Sequence, residues 1–397
     1  IGLVCCRWRG CALGDPQLWS TIHIDCFLKS AEQTVECYPL MALETQILRS
    51  KGASLDVTFI PGGFVNPPPH IFRLFEALVR ESHRWRQGDF KWDMDAETLS
   101  VFAGIRGRLQ LLRRLSLYSP PMPPEMNDIF GIAPQLRQVS LTDAEDAPKL
   151  RMPWAQITHF KGNFSAATCV EILCRTEVLV ECTLRTPYDF NAALSATPIA
   201  FLPQLRRPAV SHNKILNFLD TPNLEYLFLK FYRHRRRGAG WSPIAPVFPF
   251  FQRSRCQLKG LTVDDCLLAD ILPMLRVIPT LLHLNATFAD EVWNSTARFQ
   301  DLTNIDICPR LESIHFGFRM ACDYESLYDL IVARRHTLKF AAIWASTKGK
   351  ELYSAPPDTK GNLLTLNSEG LEVLFDDAAD FDRPFADVTK DMDRSLM

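Results

Sequence analysis

Apolar positions in this chain follow a phrase rather than a simple period. Between Leu112 and Ile343, an apolar residue, two spacers, a second apolar residue, one spacer and a third apolar residue recur nine times. The clearest copies are Leu112-x-x-Leu115-x-Leu117, Leu136-x-x-Val139-x-Leu141, Leu179-x-x-Cys182-x-Leu184 and Leu224-x-x-Leu227-x-Leu229. Leu258-x-x-Leu261-x-Val263, Leu281-x-x-Leu284-x-Ala286, Leu311-x-x-Ile314-x-Phe316 and Leu338-x-x-Ala341-x-Ile343 continue them. Ile157-x-x-Phe160-x-Gly162 is a weaker copy, and Leu205-x-x-Pro208-x-Val210 would be a tenth, damaged by its proline. The last two apolar residues of each phrase stand two apart, so on a strand they share one face. Copies start about 20–34 residues apart, room for a strand and a return segment that buries its apolar side only against its neighbours.

The predicted fold class is therefore α/β: a leucine-rich-repeat solenoid, or horseshoe, with one strand per repeat on the inner face and irregular helices outside. Ahead of the ladder the pattern turns helical. Leu3, Val4, Trp8, Ala12 and Leu13 form an amphipathic stripe that Gly14 and Pro16 stop. Residues 43–60 read as a helix around Ile47 and Leu48, then an alternating strand at Leu55, Val57 and Phe59. Residues 72–85 read as a second helix with Leu74, Phe75, Leu78 and Val79 on one side, closing at Trp85. Glycine and proline mark loops at 61–69 and 119–124, and segment 230–251 interrupts the ladder. The predicted organisation is a helical module at 1–25, linker helices and first irregular repeats at 26–100, the array at 101–345 with its insertion, and an irregular capping segment and acidic tail at 346–397.

Composition narrows the function classes. With 44 basic and 45 acidic residues, net charge −1, no global field favours nucleic acid or a membrane surface. No run reaches the roughly 18 apolar residues of a membrane span. The chain starts at Ile1 with no signal segment, and reads as a fragment whose true start lies upstream. Its 12 cysteines lack paired metal spacing and read as reduced thiols, which places the protein in cytoplasm or nucleus. The glycosylation triplets at Asn163, Asn285 and Asn294 carry no meaning without a secretory signal.

The opening residues Val4-Cys5-x-x-Trp8-Arg9, Ala12, then Pro16-x-Leu18-Trp19, resemble the last third of an F-box. The version they resemble is that of the large F-box families of mushroom-forming fungi, with Cys6 standing where a basic residue is usual. Residues 43–60 and 72–85, and the phrases Ala133-Pro134-Gln135-Leu136 and Thr221-Pro222-Asn223-Leu224-Glu225, are similar to the linker and repeats of those proteins. The first, Leu-Pro-rich half of an F-box is absent. The resemblance implies a substrate-receptor subunit of an SCF-type cullin–RING ubiquitin ligase. Val4, Cys5, Trp8, Leu18 and Trp19 would belong to the adaptor-binding module, and the repeats would hold an unknown protein substrate. The alternative is a leucine-rich-repeat interaction scaffold with a degenerate F-box and no ubiquitin role.

Other candidates are fewer. Arg233, Arg235, Arg236 and Arg237 form a basic patch, readable as a nuclear-localisation signal, a phosphate-contacting patch, a dock for an acidic or phosphorylated partner, or a solvated loop; no second basic stripe accompanies it, so nucleic acid is not an expected partner. Asp264-Asp265 and Asp143, Glu145 and Asp146 read as turn residues after strands, with metal or acid–base work as the alternative. His283 and His315 lie just before the second and third apolar positions of their phrases and should project to the concave face. Strand alternation adds Ser116, Ser140, Phe228 and Thr262 as substrate-facing positions. No phosphate loop, dinucleotide, zinc-protease or nucleophile-elbow motif occurs, so a non-catalytic protein without cofactor or metal is expected.

Overall fold

The computed structural model describes residues 5–25, 39–61, 69–91, 100–118, 124–142, 147–186, 198–230, 244–288, 299–318, 324–345 and 357–376. It forms two compact units, Ile1–Leu179 with Pro187–Leu194, and Val180–Thr186 with Ser195–Met397. Their boundary falls inside the segment 101–345 read as the repeat array.

In the first unit, β1 (Thr21–Asp25), β2 (Leu55–Ile60), β3 (Trp85–Lys91), β4 (Arg114–Tyr118), β5 (Gln138–Thr142) and β6 (His159–Asn163) pair in chain order, every pair parallel. In the second, β7 (Glu181–Arg185), β9 (Arg207–Val210), β11 (Tyr226–Lys230), β12 (Gly260–Cys266), β13 (His283–Phe288), β14 (Ser313–Phe318), β15 (Phe340–Ala345) and β16 (Glu372–Asp376) do the same. There, β8 (Ala200–Phe201) and β10 (Leu219–Asp220) form a separate parallel pair. The protein is thus α/β with a long parallel sheet whose neighbours follow chain order.

The apolar phrase sets this register. Its second and third apolar residues stand level from strand to strand: Leu227, Leu261, Leu284, Ile314, Ala341 and Val373 form one row. Leu229, Val263, Ala286, Phe316 and Ile343 form the next. The leading leucines, Leu112 to Leu338, are buried beneath the turn that enters each strand. A one-residue slip would send both rows to the other face, so burial pins the alignment.

The last two apolar positions of all ten phrases lie on strands, the proline-bearing copy included. Pro208 is buried in the short β9 opposite Cys182, but pairing with β11 is confined to Ala209 and Val210, beyond the residue that lacks an N–H. Two sequence readings are corrected. The helix expected over 72–85 is α3 (Pro69–Arg80); the chain then makes a tight turn and Trp85 starts β3 with its ring buried. Asp264 and Asp265 lie within β12 at a register shift, not after it, and Asp265 takes φ 62° there. Strands β1, β3 and β16 were not expected; β16 sits inside the segment read as irregular.

The connections are short helices and turns. In the first unit, α1 (Cys6–Gly14), α2 (Leu40–Ser50), α3 and α4 (Ala166–Leu173) serve; in the second, α5 (Val247–Ser254), α6 (Leu268–Leu275), α7 (Tyr324–Arg334) and α8 (Pro357–Thr365). Helix α3 buries Ile71, Leu74, Phe75 and Leu78 at the spacing of one helical face. Phe75 stacks on Phe59 and Phe102 at centroid distances of 5.1 and 5.6 Å, and Phe102 meets Phe130 edge-on at 5.8 Å. Adjacent turns are also stitched by long polar side chains. Arg84 donates to Ala53 O, Gln156 to Ala133 O and Leu136 O, and Arg253 to Leu216 O and Leu219 O. Each gives carbonyls of the preceding turn a side-chain donor from the next.

Candidate functional site

Two surfaces carry the predicted site residues. The first is the N-terminal helical module. Cys5 caps α1, its Sγ accepting from Trp8 N at 3.4 Å, and Asp15 caps the following turn through Gln17 N at 2.9 Å. Trp19 turns inward: Nε1 donates to Ala12 O at 2.6 Å and Arg49 of α2 covers the ring at 4.5 Å. Gln46 then ties α2 to β1 by donating to Thr21 O at 2.7 Å. Trp8 and Leu18 point the other way, 59% and 58% exposed. The five residues grouped by the sequence therefore divide. Cys5 and Trp19 hold the module together, Trp8 and Leu18 present apolar surface, and Val4 lies outside the described residues.

The second surface is the sheet face opposite the core. On the first unit, Ser116 and Ser140 are direct register partners, in one row with Thr58, Asp89 and Lys161. On the second, Phe228, Thr262, Asn285, His315 and Ala342 form the corresponding row. His283 stands one level earlier, opposite Gly260 and Ser313, so the two histidines sit diagonally rather than side by side.

This face of the second unit is built from paired contacts. Glu181 and Arg207 form an ion pair at 3.3 Å, and Arg207 lies over the Tyr226 ring at 5.4 Å. That ring fills the space a side chain at Gly260 would need. Lys230 and Asp264, opposite each other on β11 and β12, pair at 3.2 Å. His283 Nδ1 is 2.9 Å from Ser313 Oγ. The His315 ring packs against Phe340 at 4.9 Å and stands edge-on to Trp344 at 6.3 Å. Burial, reinforced by nearby His283, pushes the His315 pKa down to about 4, so the imidazole is neutral at neutral pH.

Sequence reasoning missed Asn285, Thr287, Phe340 and Trp344 on this face. Alternation marks all four once the strands are known, but Thr287 and Trp344 fall after the last apolar residue of their phrases, where a strand was assumed to end. Asp143, Glu145, Asp146 and the basic patch at Arg233, Arg235, Arg236 and Arg237 lie outside the described residues. A hollow of about 490 Å³ lies elsewhere, lined by Arg276, Gln300, Asp301, Asn304, Asp306 and Ile307, and holds none of the predicted residues. Among the described residues no group of His, Cys, Asp or Glu could hold a metal ion, no disulfide forms, and no helix is long and apolar enough to cross a membrane. No protein-family model matches the chain, and no curated protein matches it.

Proposed function

We propose that this chain is a non-catalytic receptor, the substrate-binding subunit of an SCF-type cullin–RING ubiquitin ligase. Its aligned strands are read as a leucine-rich-repeat solenoid, and its first 25 residues as the closing part of an F-box. The observation that carries the reading is the division of labour in the opening module. Trp19 is spent on internal packing, while Trp8 and Leu18 stand exposed. Exposed tryptophan and leucine beside a rigid turn are the anchors a partner needs. The sheet face opposite the core would hold the substrate. The receptor does no chemistry; it raises the local concentration of a substrate lysine near the conjugating enzyme. Such a receptor acts in cytoplasm or nucleus.

Co-expression with the SCF adaptor, with mass read by light scattering, tests this. A one-to-one complex that Trp8→Ala with Leu18→Ser abolishes is the expected result. An adaptor that associates neither with this chain nor with one carrying a complete F-box rejects the ligase role and leaves a repeat scaffold.

A further inference from the structure

Three polar atoms on the second unit are buried without a hydrogen-bond partner and stand close together in the sheet. They are Asn285 Oδ1 and Thr287 Oγ1 on β13 and Trp344 Nε1 on β15. Thr287 is 2% exposed and Trp344 9% exposed. Register places Thr287, Gly317 and Trp344 level on three consecutive strands, with Asn285, His315 and Ala342 level one step earlier. Gly317 makes the gathering possible. Its missing Cβ leaves the space into which the Trp344 indole leans, Nε1 foremost, so the ring reaches back across β14 toward β13. An alanine there would collide with the ring. His315 and Phe340 extend the platform beside it.

Buried polar atoms in folded proteins are nearly always paired, because each orphan costs about 1–3 kcal/mol. Three orphans on one patch of a sheet face describe a site whose partner comes from outside. The chemistry narrows that partner. Trp344 offers a donor, Asn285 Oδ1 an acceptor, and the Thr287 hydroxyl both. Among the described residues the charges of this face are matched: Lys230 and Asp264 pair with each other, and His315 is neutral. A carboxylate, phosphate or ammonium would lose its hydration without a counter-charge. A carboxamide fits each requirement, with a carbonyl oxygen for the indole N–H, an NH2 for the acceptors, and a flat surface against the rings.

We propose that the β13–β15 face, around Asn285, Thr287 and Trp344, binds the carboxamide side chain of an Asn or Gln carried by an uncharged protein segment. Two strand spacings, about 10 Å, suit one side chain and its flanking peptide bonds. The assignment rests on the receptor reading for its biological setting and names the kind of substrate segment that reading leaves open.

The test uses an array of octapeptides with uncharged flanks and every residue type at the centre, probed with the full chain. Peptides centred on Asn or Gln should bind, and those centred on Asp or Glu about tenfold more weakly. Trp344→Phe and Thr287→Val keep the shape of the face and should each lose the preference, while Trp8→Ala should keep it. Equal binding across centres, no binding at all, or a preference that survives both face variants overturns the proposal. The adaptor measurement separates the two readings. An adaptor complex without amide selectivity leaves the receptor standing and sinks this site; selectivity without the adaptor leaves the site on a scaffold.

Discussion

Arg334 donates from Nε to the carbonyl oxygen of Leu302, 32 residues upstream, at 2.6 Å. Its two terminal nitrogens serve Cys308 O, Asn304 O and Ile307 O, and the residue is 2% exposed. The guanidinium lies among main-chain carbonyls, and burial holds its pKa below the usual value. Arg334→Met should therefore lower stability by about 3–5 kcal/mol, since four largely buried carbonyls lose a charged donor at once. Arg334→Lys should rescue little, because an ammonium cannot span the same fork. Urea denaturation measures both; a change near the ~0.5 kcal/mol typical of surface substitutions would remove the clamp.

Leu227 is 1% exposed and level with Leu261 in the first apolar row. Leu227→Ala should cost about 2–5 kcal/mol. In a stack of nearest-neighbour contacts the damage should concentrate nearby, so amide exchange should accelerate most in β9, β11 and β12. Uniform acceleration across the second unit would argue instead for a single cooperative core.

The neutral His315 makes stability depend on pH. The unfolded imidazole takes a proton below about 6.5, whereas the folded one waits until about 4. In that window the unfolded state binds more protons, so stability falls as pH falls, by up to about 3 kcal/mol in all. Above pH 6.5 this residue contributes no slope. Denaturation of wild type and His315→Asn between pH 4 and 7 should show the wild-type slope reduced in the variant; parallel curves would assign the slope to other groups.

Trp8 and Trp19 should behave as opposites despite lying 11 positions apart in one short motif. Trp8→Ala should leave the melt within ~0.5 kcal/mol of wild type, while Trp19→Ala should lose about 1–3 kcal/mol with its hydrogen bond and the Arg49 contact. Only Trp8→Ala should separate adaptor binding from folding. A large melt change at Trp8 would mean that its ring packs within the protein.

The rows of the sheet were legible because each phrase writes its own register: Leu227 and Leu229 announce both the strand and the face. Strand β3 was not, since Trp85 and Phe90 are separated by Arg86, Gln87, Gly88 and Asp89, which break any alternation a reader could follow. Arg334 gave no signal either. Its acceptors are main-chain atoms, and main-chain atoms look alike in every sequence. The Trp344 site needed two facts together, that residue 317 is glycine and that it stands level with residue 344; only pairing supplies the second. Ser116 and Ser140 were found by alternation alone, and the structure makes them neighbours without adding a chemical role.

Five of the side-chain stitches between adjacent turns run backward along the chain. Arg84 reaches back to Ala53, Gln156 to Ala133, Arg175 to Pro148, Arg253 to Leu219 and Arg334 to Leu302. In each case the carbonyl precedes the donor by 23 to 34 residues. A ribosome makes the chain from the same end. Every one of these donors therefore emerges when its acceptor is already outside the tunnel, and none waits for a residue still to be translated. The ladder can be locked rung by rung at the pace of synthesis.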